Sequence, residues 1–280
     1  MEKAIKRYFP IFVLPTMIAF TLGFIIPFVE GVYLSFCKFT TVNDAKFIGF
    51  ANYAKVFADE TFVHAFWYTA AFTVVSVILI NVLAFAVALL LTKGFKGTNI
   101  FRTVFFMPNL IGGIVLGYIW QLLLNGILMN FSRTLTYSST YGFWGLIVLM
   151  CWQQIGYMMI IYIAGIQNIP GELIEAAEID GATKWQILKK VTIPMVMPSI
   201  TVCTFLTLTN SFKLFDQNLA LTNGEPSKMS EILALNIFNT FYGRTGYEGV
   251  GQAKAVIFFI LVTVIALTQN YLTRRKEVQQ

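Results

Sequence analysis

Six long apolar runs divide this chain, and they limit the folds it can adopt more than any other feature. The runs have 18 to 28 residues, and an α-helix needs about 20 to cross the hydrocarbon core of a bilayer. The runs are continuous and do not alternate with polar residues, so membrane-spanning β-strands are excluded and helices remain. Their approximate bounds are Phe9–Phe36, Trp67–Leu91, Thr103–Leu124, Phe143–Ile166, Ile193–Leu214 and Ala255–Leu272.

The charge content agrees with a chain that lies mostly in lipid. Only 12% of the 280 residues are charged, whereas 57% are hydrophobic. Soluble domains carry about 25% charged residues, so this chain has too few polar groups to cover a globule of its size. We therefore predict an all-α polytopic membrane protein with six transmembrane helices, forming a single transmembrane domain over residues 1–280 in a lipid bilayer.

The distribution of charge predicts how the chain is oriented. With both termini cytoplasmic, the inner segments hold twelve basic and six acidic residues, and the outer segments hold eight of each. This bias follows the positive-inside rule, and an even number of spans agrees with it. The net charge of +6 is thereby explained without nucleic-acid binding. The inner basic residues are Lys3, Lys6, Arg7, Lys93, Lys96, Arg102, Lys184, Lys189, Lys190, Arg274, Arg275 and Lys276.

A polar segment of about residues 168–192 separates the fourth and fifth apolar runs. Glu172–Ile179 contains good helix formers, with acidic residues in the first turns, where the helix dipole favours them. Gly181 supplies a turn, and Thr183 is placed to cap a second short helix, Lys184–Lys190. A connection between two spans needs only a few residues, so we predict that this longer segment contacts another molecule outside the membrane.

Polar side chains within the fourth and fifth runs follow helical spacings of three and four residues, which places them on common faces. Amides, hydroxyls and a phenol suit a neutral polyhydroxylated ligand, because they supply hydrogen-bond donors and acceptors and a flat ring. Hydrogen bonding between helices is the other interpretation, since such residues often join helices in membranes. The predicted substrate-pathway residues are Gln153, Gln154, Tyr157, Thr207, Asn210 and Ser211.

Little in the sequence indicates catalysis. His64 is the only histidine, so a histidine-rich zinc site and the HExxH motif are both excluded. Neither a phosphate-binding GxxxxGK[ST] loop nor a GxSxG nucleophile motif occurs. We predict that the chain is not an enzyme and holds no metal or cofactor of its own.

The run Glu175-Ala-Ala-Glu-Ile-Asp-Gly-Ala182, followed by Ile193-Pro194, resembles the EAA loop of permease subunits of binding-protein-dependent ABC importers. The resemblance extends over nearly the whole chain. It includes Phe50-Ala-Asn-Tyr53 after the first span, Met107-Pro108 in the third, and Thr222-Asn-Gly-x-Pro226 after the fifth. These motifs are similar to the carbohydrate-importing branch, of the maltose and glycerol-phosphate type, and within it to the first of the two permeases.

The resemblance implies the type I ABC importer (MetI-like) permease fold and a multi-pass location in the bacterial cell membrane. It also implies four kinds of partner: a second permease subunit, two cytoplasmic ABC ATPase subunits, an extracytoplasmic solute-binding protein and a carbohydrate substrate. ATP and Mg²⁺ would be bound by the ATPase subunits and not by this chain. By resemblance, the residues that couple to the ATPase are Glu175, Ala176, Ala177, Asp180 and Gly181.

An ion-coupled secondary transporter or channel and a purely structural membrane subunit are the two alternative functions. An ion-coupled secondary transporter or channel would need no ATPase, but such proteins commonly place acids deep in their spans or contain inverted repeats. Here Glu30 lies near the end of the first span, and no repeat is visible. A purely structural membrane subunit would need no row of polar side chains.

Overall fold

The computed structural model describes residues 2–94 and 96–274. Within these ranges the regular secondary structure is helical apart from one antiparallel hairpin, formed by β1 (Cys37–Lys38) and β2 (Lys46–Phe47). Of the basic residues expected on the inner side, Arg275 and Lys276 lie outside the described residues. The side chains of four others also lie outside the described part: Lys3, Lys6, Arg7 and Arg274.

The described chain divides into two compact units. The first contains the chain up to Glu60 together with Ile237–Ile260, and the second contains Thr61–Asn236 together with the chain from Leu261 onwards. The single transmembrane domain stays a prediction. In chain order the helices are α1 (Glu2–Phe20), α2 (Ile26–Leu34), α3 (Ala51–Phe57), α4 (Glu60–Leu91), α5 (Thr98–Phe106), α6 (Gly113–Met129), α7 (Ser139–Gln167), α8 (Gly171–Ile179), α9 (Lys184–Ile187), α10 (Ile193–Met195), α11 (Met197–Phe212), α12 (Asp216–Leu221), α13 (Leu233–Gly243) and α14 (Glu248–Arg274).

Four stretches of helix in the described chain are long and apolar enough to cross a membrane. They are Ile11–Leu34, Glu60–Leu91, Ser139–Gln167 and Glu248–Thr273, and they correspond to the first, second, fourth and sixth predicted spans. The count reaches six if each of two sharply bent helix pairs forms one span. The cytoplasmic location of both termini stays a prediction.

The third predicted span, Thr103–Leu124, is not one straight helix. Thr98–Leu110 and Gly113–Met129 meet at an angle of 102°. Pro108 lies in a short 3₁₀ turn, Met107–Leu110, and has no N–H with which to continue the α-helical hydrogen bonds. Gly112 then adopts an extended conformation before α6 begins. The apolar run therefore spans a break that hydropathy alone does not reveal.

The fifth predicted span, Ile193–Leu214, is also interrupted. Lys184–Met195 and Met197–Phe212 meet at an angle of 69°. Ile193–Met195 therefore belongs to the helical stretch before the bend, and α11 starts after Val196. Pro198 lies in the first turn of α11, where its missing N–H would be unpaired in any case. The bend therefore coincides with Val196, the residue between α10 and α11.

In the first unit, buried hydrogen bonds and an ion pair connect segments that are far apart in the sequence. Asn52 on α3 donates from Nδ2 to the carbonyls of Ser35 (2.9 Å) and Cys37 (2.8 Å). Lys254 on α14 is fully buried, and its Nζ lies 2.8 Å from Asp59 Oδ2. The last helix starts at Glu248, earlier than the expected Ala255, so this lysine lies inside it.

In the second unit, α7 runs through the core, and its small residues allow close packing. A β-carbon at Gly156 would collide with the carbonyl group of Phe105 on α5, and one at Gly165 would collide with the Ser199 hydroxyl on α11. Buried apolar side chains such as Ile80, Leu149 and Met158 fill the space around α7. This packing sets the positions of the polar groups on α7 and α11.

Candidate functional site

The polar segment contains the two short helices that its sequence predicts. α8 ends in a Schellman motif, in which the N–H of Ala182 donates to the Ala177 carbonyl (2.9 Å) and the N–H of Gly181 donates to the Glu178 carbonyl (3.0 Å). Gly181 has φ = +75°, a left-handed conformation that a β-carbon disfavours. Asp180, the residue before Gly181, is the C-cap residue of α8.

The second helix of the segment starts with a capping box. The Thr183 hydroxyl accepts from the Gln186 N–H (3.4 Å), and Gln186 Oε1 accepts from the Thr183 N–H (2.7 Å). These reciprocal bonds satisfy two backbone groups that a helix start leaves unpaired. α9 continues through a π-helical turn, Leu188–Thr192, to α10. The segment is therefore ordered by its own local bonds.

The predicted coupling residues lie together on the outside of this segment. Glu175, Ala176, Asp180 and Gly181 are exposed, and Ala177 is half-buried. Within the described residues, neither the Glu175 nor the Asp180 carboxylate forms a hydrogen bond or an ion pair. The carboxylates and the small side chains of this surface are thus available to another molecule.

Large apolar side chains on the same segment are also exposed. Ile179 is 86% exposed and Trp185 is 67% exposed, values that are unfavourable in water unless a partner or lipid covers them. A shallow groove of about 250 Å³ lies between the two helices, where Ala177, Asp180 and Gly181 face Lys190. Ile179 and Trp185 were not among the predicted coupling residues, although both are large apolar residues in a mostly polar stretch.

A polar cleft of about 330 Å³ opens between α7, α11 and α12. Two of the six predicted pathway residues line it: Gln154 on α7 and Asn210 on α11. Asn210 Nδ2 lies 3.4 Å from Gln154 Oε1, so the two amides also contact each other. Amide groups are the most frequent polar lining, and Lys213 and Asp216 add charges of opposite sign.

Gln153 is buried, does not line this cleft and is already bonded within the chain. Its Oε1 accepts from Gln217 Nε2 (2.9 Å), and its Nε2 lies 3.4 Å from the carbonyl oxygen of Ile111. Ile111 lies at the first bend, where the helical bonding pattern is interrupted. Gln153 therefore joins the bend, α7 and α12, as the interhelical interpretation predicts.

The other three predicted pathway residues lie away from the lining of the cleft. Thr207 is fully buried, and its hydroxyl accepts from Asn81 Nδ2 on α4 (2.9 Å). Ser211 is also fully buried. Tyr157 is half-buried, with its ring 6.4 Å from the Phe106 ring. The structure thus brings together Gln154 and Asn210, and it does not group all six side chains around one cavity.

Several residues that shape this region had weaker sequence signals. Gly113 and Gly117 form a GxxxG pattern on α6, and β-carbons there would crowd Asp216 and Ala220 of α12. Gln217 lines the cleft from a short helix that lies beyond the predicted fifth span. Asn81 is an isolated amide in the second apolar run, and its position within a span was the available signal.

The sequence pattern of one protein family matches most of the chain. This family is described as the inner membrane component of binding-protein-dependent transport systems, and the match covers residues 80–278. The chain belongs to this family. Its predicted nature as a membrane-embedded permease subunit, with no enzyme activity of its own, is thereby confirmed.

Curated relatives match this family member over nearly its whole length. AmyD of Thermoanaerobacterium thermosulfurigenes, described as a probable starch degradation products transport system permease, is 41% identical and covers 96% of this chain and 94% of its own. MalF of Thermococcus litoralis, a trehalose/maltose transport system permease, is 27% identical and covers 89% of this chain and 88% of its own.

Solved structures show the same fold. A chain from a bacterial ABC transporter that imports alginate has a TM-score of 0.82 at 23% identity and covers 98% of both chains. A chain of the MetNI methionine ABC transporter has a TM-score of 0.58 at 22% identity and covers 77% of this chain and 96% of its own. The predicted MetI-like permease fold is confirmed.

Proposed function

We propose that this chain is one membrane-spanning subunit of an ATP-driven carbohydrate importer in the bacterial cell membrane, with both termini cytoplasmic. Relatives that align over nearly the whole chain are named for starch degradation products and for trehalose and maltose. With a second permease subunit, the chain forms the translocation pathway. An extracytoplasmic solute-binding protein delivers the substrate to the outer loops.

The observation that carries this proposal is the exposed polar segment between α7 and α11. Its two helices are held by their own caps, yet the carboxylates of Glu175 and Asp180 have no partner among the described residues. We assign this surface to contact with a cytoplasmic ATPase subunit. Small side chains at Ala176 and Ala177 permit close approach of a partner, and the exposed Ile179 and Trp185 supply apolar contact area.

ATP and Mg²⁺ belong to the two ATPase subunits in this proposal, since the chain lacks a phosphate-binding loop of its own. Closure of the ATPase subunits moves the polar segment. α7 and α11 flank this segment and also line the cleft. Movement of the polar segment therefore displaces the two helices that line the cleft. The cavity between the two permeases then opens outward, and hydrolysis resets it.

A neutral carbohydrate fits the chemistry of the cleft. Gln154, Asn210 and Gln217 offer amide donors and acceptors that replace the water around sugar hydroxyls. Each such hydrogen bond contributes about 0.5–1.5 kcal/mol net, so substrate binding stays weak enough for release. Lys213 and Asp216 carry opposite charges and do not bias the lining towards an ionic substrate.

The test is transport by purified components in proteoliposomes. The chain is reconstituted with the second permease, the ATPase and the binding protein that co-purify with it, and uptake of labelled maltodextrin is measured with and without ATP. We expect uptake that requires ATP and every subunit, and none by this chain alone. ATP-driven uptake by the isolated chain, or uptake by the full set that does not need the ATPase, would overturn the proposal.

A further inference from the structure

A three-residue hydrogen-bonded group joins three helices in the core of the second unit. Asn81 on α4 accepts at Oδ1 from the Tyr162 hydroxyl on α7 (2.6 Å). Its Nδ2 donates to Thr207 Oγ1 on α11 (2.9 Å) and to the Val77 carbonyl of its own helix (2.8 Å). We call Asn81, Tyr162 and Thr207 the Asn81 junction.

Every donor at this junction is used. Both N–H groups of the Asn81 amide are engaged, the Tyr162 hydroxyl donates to it, and the Thr207 hydroxyl donates to the Cys203 carbonyl (2.7 Å). Tyr162 and Thr207 are almost completely buried. In apolar surroundings a polar group without a partner is costly, so such a group of residues holds one arrangement of the three helices.

The junction lies on the two helices that border the polar segment. α7 continues from Tyr162 to its end at Gln167, and α11 starts at Met197, ten residues before Thr207. Nearer to the polar segment, Gly165 and Ser199 bring the same two helices into close contact. α7 and α11 are therefore joined at two levels, by close packing at one and by the amide of Asn81 at the other.

We propose that Asn81 is a positioning residue that keeps α7 and α11 in fixed relation, so that movement of the polar segment reaches the cleft. This inference rests on the proposed function. A coupling element must respond as a unit at both ends, and a packed, fully hydrogen-bonded group transmits displacement better than sliding apolar contacts do. Asn81 touches neither the cleft nor the polar segment, so it acts through the helices that it joins.

The test measures the number of sugar molecules imported per ATP hydrolysed by the complete complex in proteoliposomes. Asn81→Leu removes the bonds to both helices while roughly preserving volume, and we expect this ratio to fall about fivefold or more. Thr207→Val and Tyr162→Phe each remove one bond to Asn81 and should lower the ratio less. Either change should add little when combined with Asn81→Leu, because its bond to Asn81 is already lost.

Thr209→Val is the matched control, because among the described residues the Thr209 hydroxyl bonds only to the Phe205 and Leu206 carbonyls of its own helix. For the Thr209→Val complex, the number of sugar molecules imported per ATP hydrolysed should stay at the wild-type value. If import and ATP hydrolysis fall in parallel with the amount of folded complex, so that the ratio is unchanged, Asn81 is merely structural and the inference is overturned. Should Asn81→Leu fail to assemble, an unchanged ratio in both single-bond variants overturns it equally. Failure of the wild-type complex to import with ATP would instead overturn the proposed function.

Discussion

Gly156 on α7 lies directly against the backbone carbonyl of Phe105 on α5, so these helices meet with no side chain between them. The contact occurs just before the first bend, whose 3₁₀ turn starts at Met107. Together with the bond from Gln153 to the Ile111 carbonyl, it holds both sides of the bend against α7. The bent third span is thus held against α7 by the close backbone contact at Gly156 and by the side-chain amide of Gln153.

Gly156→Ala should destabilise the protein, because the added methyl group has no space unless the two helices move apart. Overpacking of this kind costs about 1–3 kcal/mol. Thermal unfolding in detergent measures the effect. Gly126→Ala on α6 is the control, since a β-carbon there meets no described atom within 4 Å. Equal unfolding temperatures for the two variants would contradict the close approach.

Glu175→Lys should leave folding and membrane insertion intact and uncouple ATP hydrolysis from import. The residue is exposed and forms no hydrogen bond or ion pair with another described residue, while charge reversal would repel a basic partner surface. Import and ATP hydrolysis by the complete complex are measured together. Glu172→Lys provides an exposed charge reversal on the same helix, outside the predicted contact residues. Import at the wild-type level with Glu175→Lys would show that this carboxylate has no role in coupling.

Gln154→Ala and Asn210→Ala should each reduce import several-fold at low sugar concentration. Each change removes a hydrogen-bonding group from the cleft, worth about 0.5–1.5 kcal/mol. Because the two amides contact each other, their effects should not be additive. The measurement is the concentration dependence of uptake for the single and double variants. Unaffected uptake in the double variant would place the sugar pathway elsewhere.

Asp59→Ala should lower the unfolding temperature, because it leaves the buried Lys254 ammonium without its carboxylate. Breaking a buried ion pair by removing one partner costs about 3 kcal/mol or more. Replacing Lys254 with methionine in the Asp59→Ala background should recover most of the loss, because the buried charge is removed as well. A double variant no more stable than Asp59→Ala would mean that the ion pair is not the cause.

Local chemistry made the polar segment predictable. Gly181 forms a left-handed turn and Thr183 forms a capping box. Both features involve only residues a few positions apart in the sequence. Both helices of the segment were therefore expected from the sequence. The apolar runs were predictable for a related reason, since hydrocarbon requires each spanning backbone to satisfy its own hydrogen bonds. Pro108 and Pro198 were visible in the sequence too, but neither the 102° bend nor the 69° bend was predicted from them.

Length, hydropathy and helix capping act over short distances, so they were sufficient to predict a helical membrane protein with a capped polar segment. Which polar side chains line the cleft depends instead on how the helices pack. Gln153 and Thr207 belong to the same predicted helix faces as Gln154 and Asn210, yet they bond to Gln217 and Asn81 inside the chain. Residues far apart in sequence choose these partners when the helices pack, and helical periodicity cannot distinguish a face that meets another helix from one that meets a cleft.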